Sequence, residues 1–287
     1  MRTAAALRVS FAVAALAAAL GSGPVAARAQ AKAPAAAPSA PAGPADPCTS
    51  LSTLVSRPTF STATCAVKPH DLLIESGYTN ATTSGTGANE TVVYPQPSLR
   101  VGVAHNLEFD LDPTSLERMS GTPRITGVSD SAIGAKYEFG YTSKVVYGFN
   151  VVYTLANGSD AFSANGDGIL ANVNAGLTLS PALSLFGTVG YNAQSLGTPS
   201  VPARYHDVQP SLGASLSLPQ NFSLFAEGFG QSSTAPGLGG RYGIDTGFER
   251  GVGSRLQLDF NYFDYLGVQS GGHLHALGFG AAYLIGP

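Results

Sequence analysis

The chain has 287 residues, of which 44% are hydrophobic and only 11% charged, well below the roughly 25% charge of ordinary soluble domains. Its formal net charge is −3, which excludes the basic stripe that a nucleic-acid partner requires. No apolar run in the body of the chain reaches the ~18 residues of a membrane helix, so a helical membrane protein is excluded as well.

In chain order, the first element is a secretory signal at 1–29. Arg2 and Arg8 precede an apolar stretch from Val9 to Leu20, and Ala27-Arg28-Ala29 supplies the small residues a signal peptidase reads. Cleavage removes Arg2, Arg8 and Arg28 and no acid, leaving 12 basic residues against 18 acidic and a net charge of −6. Residues 30–47 are almost entirely Ala, Pro, Gly and Ser, a composition that cannot bury a core and reads as a periplasmic linker. An N-terminal periplasmic segment, 48–70, follows. It contains the only cysteines, Cys48 and Cys65, which the exported compartment predicts to be disulfide-bonded. In the chain-entropy model such a loop contributes about 3 kcal/mol.

From residue 71 onward apolar and polar residues alternate with a period of two, the signature of strands with one apolar and one polar face. The pattern predicts strands at 71–79, 91–103, 107–112, 129–140, 145–155, 168–179, 183–194, 207–217, 222–231, 241–249, 255–265 and 273–285. In the eleventh, Leu256, Leu258, Phe260 and Tyr262 alternate with Gln257, Asp259 and Asn261. Short connections at 104–106, 141–144, 180–182, 218–221 and 250–254 alternate with longer ones at 80–90, 113–128, 156–167, 195–206, 232–240 and 266–272. Such alternation is expected of an outer-membrane barrel, with short periplasmic turns at one rim and long loops at the other. A soluble sandwich has no cause for it. The predicted fold is therefore an all-β, antiparallel up-and-down transmembrane barrel of about 12 strands, occupying 71–287, its apolar face toward lipid and its polar face toward a lumen.

Parity assigns to that lumen Arg100, Glu108, Asp110, Lys136, Glu138, Asn150, Asn172, Asn174, Phe225, Glu227, Asp245, Asp259 and Asn261. A charge on the lipid face at mid-bilayer would cost about 2–4 kcal/mol for Lys or Arg, so the ionisable members of this set must point inward. If Val103 faces Leu107 across the 104–106 turn, Arg100 faces Asp110 in a cross-strand ion pair. The same counting around 250–254 places Glu249 opposite Arg255 and Asp245 opposite Asp259, a repelling pair that would raise one pKa or bind a cation. Phe186, Phe225 and Phe229 share the inward parity with Glu227 and would suit an apolar or aromatic solute.

Two segments, PSLRVGVAHNLEFDLD (Pro97–Asp112) and GVSDSAIGAKYEF (Gly127–Phe139), resemble the outer-membrane transporter family named after the meta-pathway of phenol degradation. The likeness lies in Leu99-Arg100-Val101-Gly102 with Asn106-Leu107-Glu108-Phe109, then Gly127, Asp130, Gly134, Lys136 and Tyr137, and again in the final HALGFGAAYLI. The resemblance implies a barrel that passes small, often aromatic or apolar, compounds. An outer-membrane barrel takes outer-membrane lipid, lipopolysaccharide and the barrel assembly machinery as partners; the chain departs from such barrels in ending on Ile285-Gly286-Pro287, so Tyr283 or Phe279 would serve in place of the terminal aromatic.

The sequence reading is thus a passive channel for small-molecule solutes, without cofactor or metal, in the outer membrane of a Gram-negative cell. Two other readings stay open. One is a structural envelope barrel with a packed, non-conducting interior. The other is a lipid hydrolase at the outward-facing His273 and His275; no Ser two residues along that strand and no acid or amide on the facing strand supports it.

Overall fold

The computed structural model describes residues 46–286 except 86–88, 122, 199–200 and 267–271. The signal at 1–29 and linker residues 30–45 lie outside the described residues. Fifteen strands form one antiparallel sheet: β1 (Leu72–Gly85), β2 (Asn89–Tyr94), β3 (Ser98–Ala104), β4 (Leu107–Asp112), β5 (Leu116–Met119), β6 (Ile125–Val128), β7 (Ser131–Tyr141), β8 (Val145–Leu155), β9 (Gly168–Thr178), β10 (Leu183–Thr198), β11 (Val201–Leu218), β12 (Phe222–Gln231), β13 (Arg241–Val252), β14 (Leu256–Tyr265) and β15 (Gly272–Ile285). The sheet closes on itself, since β15 pairs with β1 from Leu72↔Ile285 to Gly85↔Gly272.

Three wall positions are each shared by two collinear pieces: β2 with β3, β4 with β5, and β6 with β7. The wall is a closed 12-strand barrel. Pro95, Pro97 and Pro113 stand in the gaps of the first two, where a residue without an N–H interrupts the ladder. The strand expected at 91–103 is therefore broken at 95–97. The loop expected at 113–128 carries β5 and β6, which extend the sheet beyond the rim. The loop expected at 195–206 is mostly strand, because β10 and β11 stay paired from Leu183↔Leu216 to Thr198↔Val201.

Faces alternate as the period of two requires. Phe109 is 56% exposed beside Glu108 at 0%, and Val173 57% beside Asn174 at 0%. The exposed set, including Leu212, Ile244, Leu258 and Phe279, is the lipid belt. The buried face of the wall is largely polar. A soluble protein would invert this arrangement, so the closed sheet and its apolar exterior place the chain in the outer membrane.

The stretch 48–70, expected as an N-terminal periplasmic segment, packs against the inward face of the wall. It opens with one helical turn, α1 (Leu51–Leu54). Leu51, Leu54 and Val55 join Cys48, Cys65 and Val67 in a small apolar cluster against Leu73 of β1 and Ala282 of β15. The chain then rises past Phe60, returns through Cys65, and leaves at Pro69, bridged to Gly102, before entering β1. We call this segment the plug.

Candidate functional site: a polar lumen and its plug

The plug has almost no secondary structure of its own, so its backbone N–H groups need partners. Wall carboxylates supply them. Glu75 accepts from the Ser56 and Arg57 N–H groups at 3.2 and 3.1 Å, and Glu227 from those of Phe60 and Ser61 at 2.8 and 2.9 Å. Glu138 accepts from Ala66 at 3.3 Å and Glu108 from Val67 at 2.6 Å. The Ser61 hydroxyl also bonds Glu227 and meets Ser211 Oγ at 2.7 Å, while the Thr62 N–H donates to Thr188 Oγ1 at 3.1 Å. These four buried glutamates thus receive donors from the plug, which is what burying a carboxylate demands.

Close approach is permitted by glycines on the inward face. A Cβ on Gly102 would lie 1.9 Å from the Lys68 carbonyl oxygen, and one on Gly77 or Gly280 would strike the Arg57 side chain at 2.2 or 2.3 Å. The disulfide joins Cys48 to Cys65 with Cα atoms 5.3 Å apart, tying the rising and returning limbs together. Its sulfurs lie near the Glu138 carboxylate but offer no thiolate for a metal. At the base, Lys68 Nζ meets Asp46 at 2.5 Å and the Cys48 N–H donates to the same carboxylate at 2.8 Å. Burial pushes the Asp46 carboxyl up, but Lys68 and the Cys48 amide outweigh it and hold the group below its ordinary value.

The predicted lumen residues all face inward, and all but the partly covered Asp110 are buried. They form two networks. On the β3–β7 side Arg100 bonds Glu75 at 2.7 Å and Glu108 at 2.8–3.1 Å, and also donates to the Leu54 carbonyl at 2.5 Å. Arg100 and Asp110 are register partners as expected, although the bulge leaves Ala104 and not Val103 opposite Leu107. Their ion pair is the longest of the set at 3.8 Å. Lys136 Nζ lies 2.9 Å from Glu108 as a charge contact without hydrogen-bond alignment. Asn174 donates to Asn150 at 2.8 Å and accepts from Thr188 at 2.9 Å, and Asn172 borders two cavities.

On the β12–β14 side the register differs from expectation. The 250–254 turn is shorter because β13 runs on to Val252, so Glu249 faces Asp259 and Glu227 faces Asp245, while Asp245 stands opposite Phe263. The pairs expected between Glu249 and Arg255 and between Asp245 and Asp259 do not form. Asn261 donates to Asp245 at 3.0 Å, and Arg57 of the plug approaches Asp259 at 3.6 Å.

Among the described residues, three cavities border the plug. One of about 220 Å³ lies at the short-turn end, bordered by Phe186, Phe225 and Glu249. One of about 530 Å³, bordered by Arg57, Arg100, Asp110 and Lys136, and one of about 210 Å³, bordered by Phe60, Phe229 and Tyr265, lie on the long-loop side. Thr62 borders all three and Thr59 two of them. The inward phenylalanines therefore divide, Phe186 and Phe225 to one mouth and Phe229 to the other. Phe263 and Tyr265 join Phe229 with ring centroids 6.5 and 5.1 Å away. Both were missed in sequence, yet the parity of Asp259 and Asn261 extended by four residues finds them.

On the outer face, Asp264 of the facing strand lies 2.8 Å from His273 Nε2, so an acid is present where none was expected. The Ser84 hydroxyl contacts the His273 carbonyl, not its ring. The Tyr262 hydroxyl donates to the same Asp264 carboxylate at 3.1 Å.

The fold defines a closed twelve-stranded outer-membrane barrel with its own N-terminal segment in the lumen. No family model and no curated protein matches the sequence. Among solved structures it is similar to an outer membrane channel from Pseudomonas putida F1, at 14% identity over 77% of this chain and 97% of that one, with a TM-score of 0.63. It is also similar to the NanC porin, at 10% identity over 72% and 98%, with a TM-score of 0.52. At identities this low the likeness shows the fold alone, and it agrees with the barrel that the family resemblance implies.

Proposed function

We propose that the protein is a passive outer-membrane channel for small molecules, with aromatic or apolar compounds as its solute class and with the inward residues from Arg100 to Asn261 lining the path. One observation carries the reading: the partition between the short-turn cavity and the long-loop cavities runs along Thr59–Thr62, which belongs to the plug and not to the wall. A barrel closed by wall side chains would have no removable element. Here the obstruction is a segment joined to the wall covalently only at its C-terminal end. The names of the two fold neighbours, a channel and a porin, support the same activity.

The test is planar-bilayer conductance of the refolded mature protein, with and without a small aromatic solute. Discrete steps whose frequency or size the solute changes, and whose ion selectivity shifts in Asp259→Lys, are the expected result. Silence from folded protein, persisting when 48–70 is deleted, would overturn the channel and leave a structural barrel.

A further inference from the structure

The plug is tipped by Phe60, which is 41% exposed yet stacks on Phe229 at a centroid distance of 3.6 Å and an interplanar angle of 13°. Phe263 and Tyr265 meet it edge-on at 5.3 and 6.5 Å. Phe229, Phe263 and Tyr265 are wall residues of β12 and β14, and Phe60 is the one ring the plug contributes. Beside the ring, Glu227 takes the Phe60 and Ser61 N–H groups and the Ser61 hydroxyl. Face-to-face contact on one ring with edge contacts from two others is how an aromatic group is held, and an adjacent carboxylate selects a donor.

We infer that this cage is a ligand site, that Phe60-Ser61 is its tethered occupant, and that its free ligand is an aromatic ring bearing a hydroxyl or amine donor. Such a molecule reproduces both halves of what the plug offers: a ring for Phe229 and donors for Glu227. The adjoining cavity of about 210 Å³ exceeds the ~150 Å³ that suffices for benzene in a protein interior. Thr188, Gln209 and Ser211 on its border can receive further polar groups. Ligand and plug tip compete for one place, so ligand binding withdraws the tip from Glu227 and releases the partition at Thr59–Thr62. This last consequence rests on the channel reading; occupancy of the cage does not.

The experiment measures binding of benzyl alcohol to the refolded mature protein by calorimetry. Toluene, a ring without a donor, and cyclohexylmethanol, a donor without an aromatic ring, serve as comparisons. Removing the tethered ring in Phe60→Ala is expected to raise benzyl alcohol affinity at least tenfold. Glu227→Gln in that background should reduce benzyl alcohol to the level of toluene, and Phe229→Leu should abolish the preference over cyclohexylmethanol. Folded Phe60→Ala protein that binds benzyl alcohol no better than the wild type, or that does not distinguish the three probes, overturns the assignment. Conductance separates the two claims: tightened binding with a bilayer that stays silent when 48–70 is deleted upholds the cage and sinks the channel, whereas conducting protein without tightened binding sinks the cage alone.

Discussion

The disulfide gives the sharpest test of how the plug is held. Cys48 and Cys65 are 17 residues apart and close the loop that contains every plug donor from Ser56 to Thr62. In the undocked state, Cys48→Ser/Cys65→Ser frees that loop completely. In the docked state little changes, because the wall carboxylates still hold both limbs. For a loop of this size the chain-entropy model gives about 3 kcal/mol, so the undocked fraction should rise by about 150-fold. Local opening of this kind leaves the barrel ladder intact. The assay introduces Ser61→Cys and follows its labelling by a water-soluble thiol reagent in the double-Ser background. The reference is the disulfide-intact protein carrying the same Ser61→Cys change. A rise in labelling rate of about two orders of magnitude is expected, accompanied by longer openings in the bilayer. Unchanged labelling from folded barrels would refute the argument and show that the wall lattice alone fixes the plug.

Two further outcomes bear on that lattice. Arg100→Met removes the cation shared by Glu75 and Glu108, and breaking a buried charge network by one partner costs about 3–5 kcal/mol. The urea midpoint of the refolded barrel should fall accordingly. A stability equal to wild type would mean that water already reaches these carboxylates. Gly102→Ala would set a Cβ 1.9 Å from the Lys68 carbonyl oxygen, whereas a Cβ at Gly228 meets nothing within 4 Å. Overpacking of this kind costs about 1–3 kcal/mol, so the first variant should expose 48–70 to protease and Gly228→Ala should not.

The wall was legible in sequence because a lipid-facing strand must alternate with period two, and one charged residue fixes its phase. Arg100, Lys136, Asp245 and Asp259 found the correct face for that reason. Register was less legible. It depends on where a turn begins, and extending β13 to Val252 moved the partner of Asp259 from Asp245 to Glu249. The plug was not legible, since it docks through backbone N–H groups and residues 48–70 carry no period. Two signals did point to it. Gly77, Gly102, Gly148 and Gly280 all fall on the inward parity, where the plug approaches through the Lys68 and Thr64 backbone or the Arg57 side chain. Inward acids also outnumber inward cations, which implies donors from outside the wall.

That imbalance decides what an open state must be. Glu75, Glu108, Glu138 and Glu227 all take N–H groups from the plug, and Asp259 takes its charge contact from Arg57. Withdrawing the plug strips five carboxylates of these partners at once. A carboxylate left buried without a donor is strongly unfavourable, so the vacated lumen cannot remain dry; water must enter as the plug leaves. The resulting path is aqueous and acid-lined along β12–β14, where Glu227, Asp245, Glu249 and Asp259 share one face. Anions are repelled from such a wall, and a bare hydrocarbon gains nothing from it beyond the aromatic mouth. A ring that carries its own donor gains at both places, stacking on Phe229 and then exchanging hydrogen bonds along the acids that the plug had occupied.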